Sequence, residues 1–154
     1  MGNWDVVVVG SGVCGLTIAH NLQDAGRSVL LLDKGSRPGG RLASRPLGGA
    51  LLNPAADTVV THDSHVMREI VRRTGAVFAA EPEHGASWRF AAPAGEVART
   101  WAAGTTLQRT FVTQIEVADS GLIRVVPHAS GEPFTCQALV LTAPVPQSVQ
   151  ILRT

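Results

Sequence analysis

The sequence predicts an α/β fold, a parallel sheet with an inserted β-meander, from three observations. Val6 to Val9 form an uninterrupted apolar run, as expected of a strand buried on both faces of a parallel sheet. Gly10, Gly12 and Gly15 follow at once and open a helical stretch. A second apolar run, Ser28 to Leu32, ends in an acid, Asp33. Strand, glycine turn, helix and strand in this order make one β-α-β unit.

The three glycines of this G-x-G-x-x-G turn serve, in order, the tight turn, close backbone approach to a pyrophosphate, and close packing of helix on strand. The helix is predicted from Val13 to Ala25, burying Leu16, Ala19 and Leu22, with Gly26 as its stop. Its N-terminal N–H groups and dipole favour a diphosphate. Asp33 lies 18 positions after Gly15, where a carboxylate accepts hydrogen bonds from an adenosine ribose. The unit is therefore Rossmann-like and dinucleotide-binding. An acid at position 33 disfavours a 2′-phosphate and hence NADP. NAD and FAD remain open on this unit alone. The continuation, a flexible Gly39-Gly40 pair followed by Arg41 where an NAD fold usually starts a helix, favours FAD, with Arg41 as a second pyrophosphate contact.

Leu42 to Ala56 is rich in glycine and proline and reads as loop with a short strand at Ala50 to Leu52. His62 to Gly75 reads as an amphipathic helix capped by Asp63 or Ser64, with Val66, Met67, Ile70 and Val71 as its buried stripe. Val77-Phe78 and Trp88 to Phe90 suggest strands, and Glu96 to Ala103 a helix with Val97 and Trp101 inward, stopped by Gly104. Thr105 to Phe111 is expected as the third parallel strand. Val112 to Val117, Leu122 to Val126 and Phe134 to Ala138 form the meander, with turns at Asp119 to Gly121 and Ser130 to Pro133. Leu139 to Thr142 is a further uninterrupted apolar strand that returns Ala143 and Pro144 to the carboxyl ends of the parallel strands, where open α/β sheets bind ligands.

The 154 residues suit one domain, and a hydrophobic share of 45% against 16% charged excludes a disordered chain. A formal net charge of +1 with scattered basic residues argues for neither nucleic acid nor an anionic membrane as partner. The one basic run, Arg37, Arg41 and Arg45, reads first as a phosphate contact. Cys14 and Cys136 have neither metal nor redox spacing, and no apolar run reaches membrane-spanning length, so a cytoplasmic protein is expected. His62 and His65 lack an obvious third ligand, and no metal is expected. Cys14 reads as a small side chain tolerated under the cofactor. No catalytic triad or paired-carboxylate site is visible. That suits flavin chemistry, in which protein groups supply orientation and electrostatics.

The D-K-x-x-x-x-G-G-R run from Asp33 to Arg41 resembles flavin-dependent amine oxidases and, more closely, the renalase family. The likeness returns in Phe90-Ala-Ala-Pro-Ala-Gly95, in Arg109-Thr-Phe-Val-Thr-Gln-Ile115 and, most specifically, in Leu139-Val-Leu-Thr-Ala-Pro-Val-Pro-Gln147. The resemblance implies FAD as cofactor, held by Gly10, Gly12, Val13, Cys14, Gly15, Asp33, Lys34, Gly40 and Arg41. It also implies that Val112 offers its backbone to the adenine, so that its side chain matters little. The loop expected to return to the flavin is matched by Leu52-Asn-Pro-Ala-Ala56, giving Ala55 and Ala56 as contacts, although Pro54 replaces a glycine and removes an N–H. With 42–104 as an insertion region, residues 1–154 are expected to be an FAD-binding domain lacking the C-terminal part that closes the flavin and substrate site. Alone, it should retain flavin weakly and self-associate through its uncovered face. The small-molecule reaction implied is oxidation of isomeric dihydronicotinamides with oxygen as acceptor. Oxidation of an amine is the alternative, although the absence of tyrosine removes a tyrosine-built amine cage. A non-catalytic nucleotide-binding module is the reading from a different class.

Overall fold

The structure is a computed structural model that describes residues 3–53, 56, 58–61, 63–76, 78–80, 87–128 and 131–153. The chain divides into two compact units, 1–36 with 104–154, and 37–103. In the first unit the chain forms strand β1 (Asn3–Val9), helix α1 (Val13–Asp24) and strand β2 (Val29–Asp33). The second unit holds β3 (Arg45–Leu47), β4 (Ala50–Leu52), β5 (Thr58–Val60), α2 (Ser64–Thr74), β6 (Phe78–Ala80), β7 (Ser87–Phe90) and α3 (Ala94–Ala102). The first unit resumes with β8 (Thr106–Arg109), β9 (Val112–Val117), β10 (Ile123–Pro127), β11 (Phe134–Leu141) and α4 (Val145–Leu152).

The first unit is built on a six-stranded sheet in the order β8-β2-β1-β11-β10-β9. Strands β8, β2, β1 and β11 run parallel, and β10 and β9 continue antiparallel. Val9 stands opposite Leu32 on one side and Leu141 on the other, so three strands end level and their following residues share one carboxyl edge. The four-valine run is buried throughout, as are Val29 to Leu32. Val7, Val9, Leu30 and Leu32 join Val112, Val125 and Cys136 in one core cluster. Helix α1 packs on β1 and β2 and buries Leu16 and Ala19, while Leu22 is only half-buried. At its end Gly26 takes φ 77° and the Arg27 N–H donates to the Leu22 carbonyl at 3.0 Å, closing the helix through a left-handed glycine.

Three expectations for this unit need correction. The third parallel strand ends at Arg109 rather than Phe111, because its partner β2 ends at Asp33, whose carbonyl takes the last ladder bond from the Thr110 N–H at 2.7 Å. The meander's last strand and the returning apolar strand are one continuous β11. It pairs antiparallel with β10 through Phe134 to Cys136 and parallel with β1 from Thr135 onward. The sheet thus has four parallel strands, β11 serving both as the fourth and as the last strand of the meander. Helix α4 was not expected. Pro144 starts it, accepting from the N–H groups of Gln147 and Ser148 at 2.9 and 3.1 Å. Of the turn at 130–133, Ser130 lies outside the described residues.

In the second unit, the stretch read mainly as loop contains the hairpin β3–β4, turned by Gly48 and Gly49 at φ 56° and 84°, the paired positive φ values that glycine supplies to tight hairpins. A three-stranded antiparallel sheet follows in the order β5-β7-β6, of which β5 was not anticipated and Val77 lies outside the described residues. Helix α2 is capped as expected: Asp63 accepts from the His65 N–H at 2.7 Å and Gly75 takes φ 62°. Its expected apolar stripe is narrower. Ile70 is buried, Met67 is half-buried, and Val66 and Val71 are 40% and 43% exposed. The helix packs on α3, and among its described residues the buried positions are Ile70 and Thr74, one turn apart. The Thr74 hydroxyl donates to the Ile70 carbonyl at 2.7 Å. Helix α3 buries Ala94, Val97, Ala98 and Trp101, so Trp101 is a core residue.

On α2, Glu69 accepts from the Arg72 guanidinium at 2.9 and 3.0 Å and from Arg73 at 2.7 Å. Hydrogen bonds from Arg72 first and Arg73 second hold its carboxyl down at about 2. A carboxyl depressed on folding stabilises the fold above its unfolded value and loses that contribution as pH falls through the folded value. Glu69→Gln should therefore be less stable than the parent at neutral pH. The gap should narrow as pH falls below about 4.5 towards 2, read as thermal midpoints across this range. A gap independent of pH would contradict the assignment.

Candidate functional site

The carboxyl edge of the parallel strands is closed by a small set of backbone contacts. After Val9 the chain turns at Gly10, φ 108°, whose N–H donates to the Leu32 carbonyl at 2.8 Å. A side chain there is disfavoured by the left-handed backbone, and its Cβ would also lie 2.5 Å from the Thr142 hydroxyl oxygen. Gly15, in the first turn of α1, is buried. A Cβ on it would overlap the Gly10 carbonyl and lie 3.1 Å from Thr142 Oγ1. The first and third glycines are thus fixed by each other and by Thr142.

Gly12 is different. It caps α1 with φ −70°, an ordinary value, and a Cβ there would meet nothing within 4 Å. No side chain caps the helix and its first turn holds no acid. The leading N–H groups, lacking intrahelical acceptors, and the positive end of the helix dipole are left to an anion. Val13 and Cys14 follow in this turn and are both exposed. Cys136, by contrast, is buried, and burial pushes its thiol up.

Asp33 ends β2 beside this turn. Its Oδ2 accepts from the Ser11 N–H at 2.5 Å and the Ser11 hydroxyl at 2.7 Å, and its Oδ1 from the Gly35 N–H at 2.7 Å. Ser11 is completely buried. Thr142, at the end of β11, donates its hydroxyl to the carbonyls of Val9 and Gly10 at 3.1 and 3.0 Å, and its N–H to Val9 at 2.9 Å. Sequence reasoning named neither Ser11 nor Thr142 among the site residues. The available signals were a small polar residue between two glycines and a threonine ending an apolar strand.

Gly10, Gly12, Val13, Cys14, Gly15 and Asp33 therefore share one edge of the first unit. Lys34 follows, exposed, with its Nζ 5.9 Å from the centre of the Phe111 ring. Phe111 meets the His128 ring edge-on at 5.6 Å, and the His128 N–H donates to the Phe111 carbonyl at 2.8 Å. Val112 is 3% exposed and belongs to the core cluster. Truncating it opens a cavity in the sheet core, a cost to stability separate from any contact of its backbone with adenine.

Gly40, Arg41 and Ala56 belong to the second unit, and Ala55 lies outside the described residues with Pro54. Of the Gly39-Gly40 pair, Gly40 is exposed and Gly39 is packed. Gly39 is buried, takes φ 108° and is pressed against Ala98 of α3, leading into the short 3-10 turn Gly40–Leu42. Arg41 is exposed, while Arg37 donates to the Ser44 carbonyl at 3.0 Å. Among the described residues no group of three or more His, Cys, Asp or Glu could hold a metal ion; His62 lies outside them. Among the same residues no helix is long and apolar enough to cross a membrane.

Comparison with known proteins agrees with this geometry. Residues 8–74 match the family model of the NAD(P)-binding Rossmann-like domain. The FAD-dependent oxidoreductase oblC of Cochliobolus heterostrophus is 55% identical over 40 residues, 26% of this chain and 8% of that protein. The putrescine oxidase of Kocuria rosea is 50% identical over 48 residues, 31% of this chain and 10% of that one. A structure of putrescine oxidase bound to putrescine superposes with a TM-score of 0.81 at 14% identity, over 97% of this chain and 60% of that one. The fold is mixed α/β with a mostly parallel sheet, the Rossmann-like FAD-binding fold of amine oxidase structures. The match spans about a tenth or less of the two sequence relatives and 60% of the putrescine oxidase structure, under two thirds of each.

The glycine geometry predicts opposite outcomes for two alanine substitutions. Gly15→Ala should lower the thermal midpoint sharply, since its Cβ meets backbone that cannot move aside. Gly12→Ala should keep the parent midpoint but weaken ADP binding at least about tenfold, because a methyl group there enters the space beside the free helix end. Calorimetry of both variants with and without ADP checks this. A Gly12→Ala protein with parental ADP affinity would contradict the site.

Proposed function

We propose that the chain binds FAD through its ADP half and forms the cofactor-binding part of an FAD-dependent oxidoreductase. The observation that carries this is the uncapped start of α1, with open space at Gly12 and the Asp33 carboxylate at the end of the adjacent strand. The residues fit the ligand. The N-terminal N–H groups of α1 suit a diphosphate, and Asp33 suits a ribose hydroxyl while repelling a 2′-phosphate. Gly40 and Arg41 are proposed as a second diphosphate contact, Lys34 as a neighbour of the adenosine, and Val112 as an adenine contact through its backbone, its side chain being committed to the core. Exposed Cys14 leaves room for a ligand above the turn.

When bound, FAD would supply the hydride acceptor, with oxygen as the final electron acceptor. The chain's own residues orient the dinucleotide and neutralise its phosphates. Two substrate classes are carried forward. The sequence relative that oxidises putrescine favours a small amine. The Leu139 to Gln147 run favours the renalase-like reading, an isomeric dihydronicotinamide. Peroxide release from an FAD-loaded complete protein that includes the part closing the flavin site, offered an amine panel and isomeric dihydro-NAD in parallel, separates the two. A cytoplasmic location and self-association through an exposed face remain part of the proposal, the latter motivated by Leu47, Leu51 and Leu52 on the β3–β4 hairpin, which are 67%, 50% and 45% exposed.

Asp33→Ala is expected to weaken ADP and FAD binding by about 1 to 3 kcal/mol through loss of a charge-assisted hydrogen bond. Titration calorimetry, on protein shown to be folded by its near-ultraviolet spectrum, measures this. Unchanged affinity in a folded variant would refute the role of Asp33.

A further inference from the structure

This inference rests on the reading of Asp33 as the ribose carboxylate and concerns how many hydroxyls it can take. An ionised carboxylate offers about four lone-pair positions on its two oxygens. On Asp33, Oδ2 accepts twice from Ser11, through its N–H at 2.5 Å and its hydroxyl at 2.7 Å. Oδ1 accepts once, from the Gly35 N–H at 2.7 Å. One position remains, on Oδ1. Ser11 is 0% exposed, so water cannot take the place of Oδ2 as acceptor for its hydroxyl. A ligand hydroxyl competing for Oδ2 would leave a buried donor unpaired, which costs more than the new bond returns.

We propose that Ser11 is a positioning residue that turns Asp33 into a reader of one ribose hydroxyl rather than of the vicinal diol. The Ser11 hydroxyl occupies Oδ2 and holds the carboxylate plane, and Gly35 leaves a single acceptor direction on Oδ1. The second ribose hydroxyl gains nothing from Asp33, and nucleotides that lack it are accepted.

The test is calorimetric titration of ADP, 2′-deoxy-ADP and 3′-deoxy-ADP into the parent chain and into Ser11→Ala and Asp33→Ala. In the parent, one deoxynucleotide should bind about tenfold more weakly than ADP and the other about as well as ADP. In Ser11→Ala a position on Oδ2 is freed, and both deoxynucleotides should fall behind ADP. In Asp33→Ala the three should bind alike. A purely structural role for Ser11 would weaken all three by one common factor and leave the parental pattern, which overturns the proposal. Equal losses for both deoxynucleotides in the parent, or no loss for either, also overturn it while leaving the nucleotide site standing. Failure of ADP itself to bind would remove the site and this inference together.

Discussion

The carbonyl groups that end β1 carry the connection between sheet and helix. The Val9 oxygen accepts from both the N–H and the hydroxyl of Thr142, and the Gly10 oxygen accepts from the same hydroxyl. Gly15 sits against that Gly10 oxygen with no room for a side chain. The end of β1 and the first turn of α1 are thereby pinned at one point to the end of β11, which is distant from both in sequence. Buried backbone carbonyls need partners, and here Thr142 supplies them within a space that only glycines leave open. The level ends of β2, β1 and β11 and the direction in which α1 leaves the sheet follow from this contact.

The electrostatic character of the edge follows in turn. Fixing α1 this way points its uncapped N-terminus along the carboxyl edge of the sheet, and the register of β2 against β1 sets Asp33 beside it. The helix end attracts negative charge, whereas the carboxylate rejects it and accepts hydroxyl donors. A diphosphate next to an unphosphorylated ribose satisfies both demands at once, and the same pairing discriminates against a 2′-phosphate. Ser11, buried between two glycines, couples the halves by donating twice to Asp33.

Much of the first unit was legible because its strands are buried on both faces, so Val6 to Val9 and Val29 to Leu32 announce themselves as continuous apolar runs. Strand β11 was read in two pieces because Gln137 and Ala138 are exposed and interrupt its apolar pattern. Of the β3–β4 hairpin, Ala50 to Leu52 is found as the short strand expected, whereas β3 reads as loop because its residues are all exposed and no amphipathic period exists to detect. Val66 and Val71 were misassigned because periodicity identifies an apolar face but not how much of it a short neighbouring helix covers. Ser11 and Thr142 escaped for other reasons. Thr142 acts through the register of β11 against β1, 133 positions away in sequence, which no local pattern encodes. Ser11 lies in the same β-α-β unit as Asp33, but a serine between two glycines does not by itself show that its hydroxyl turns to that carboxylate.

The central claim is that a dinucleotide lies across the start of α1 with its ribose at the end of β2. An amide-resolved nuclear magnetic resonance titration of the 154-residue chain with ADP addresses it most directly, because it reports each backbone N–H separately. Large shifts are expected at Gly12, Val13, Cys14 and Gly15 and at Asp33 to Gly35, with the amides of β9 and β10 beyond Val112 left nearly unmoved. Saturable shifts centred elsewhere, with Gly12 to Gly15 unmoved, would contradict it.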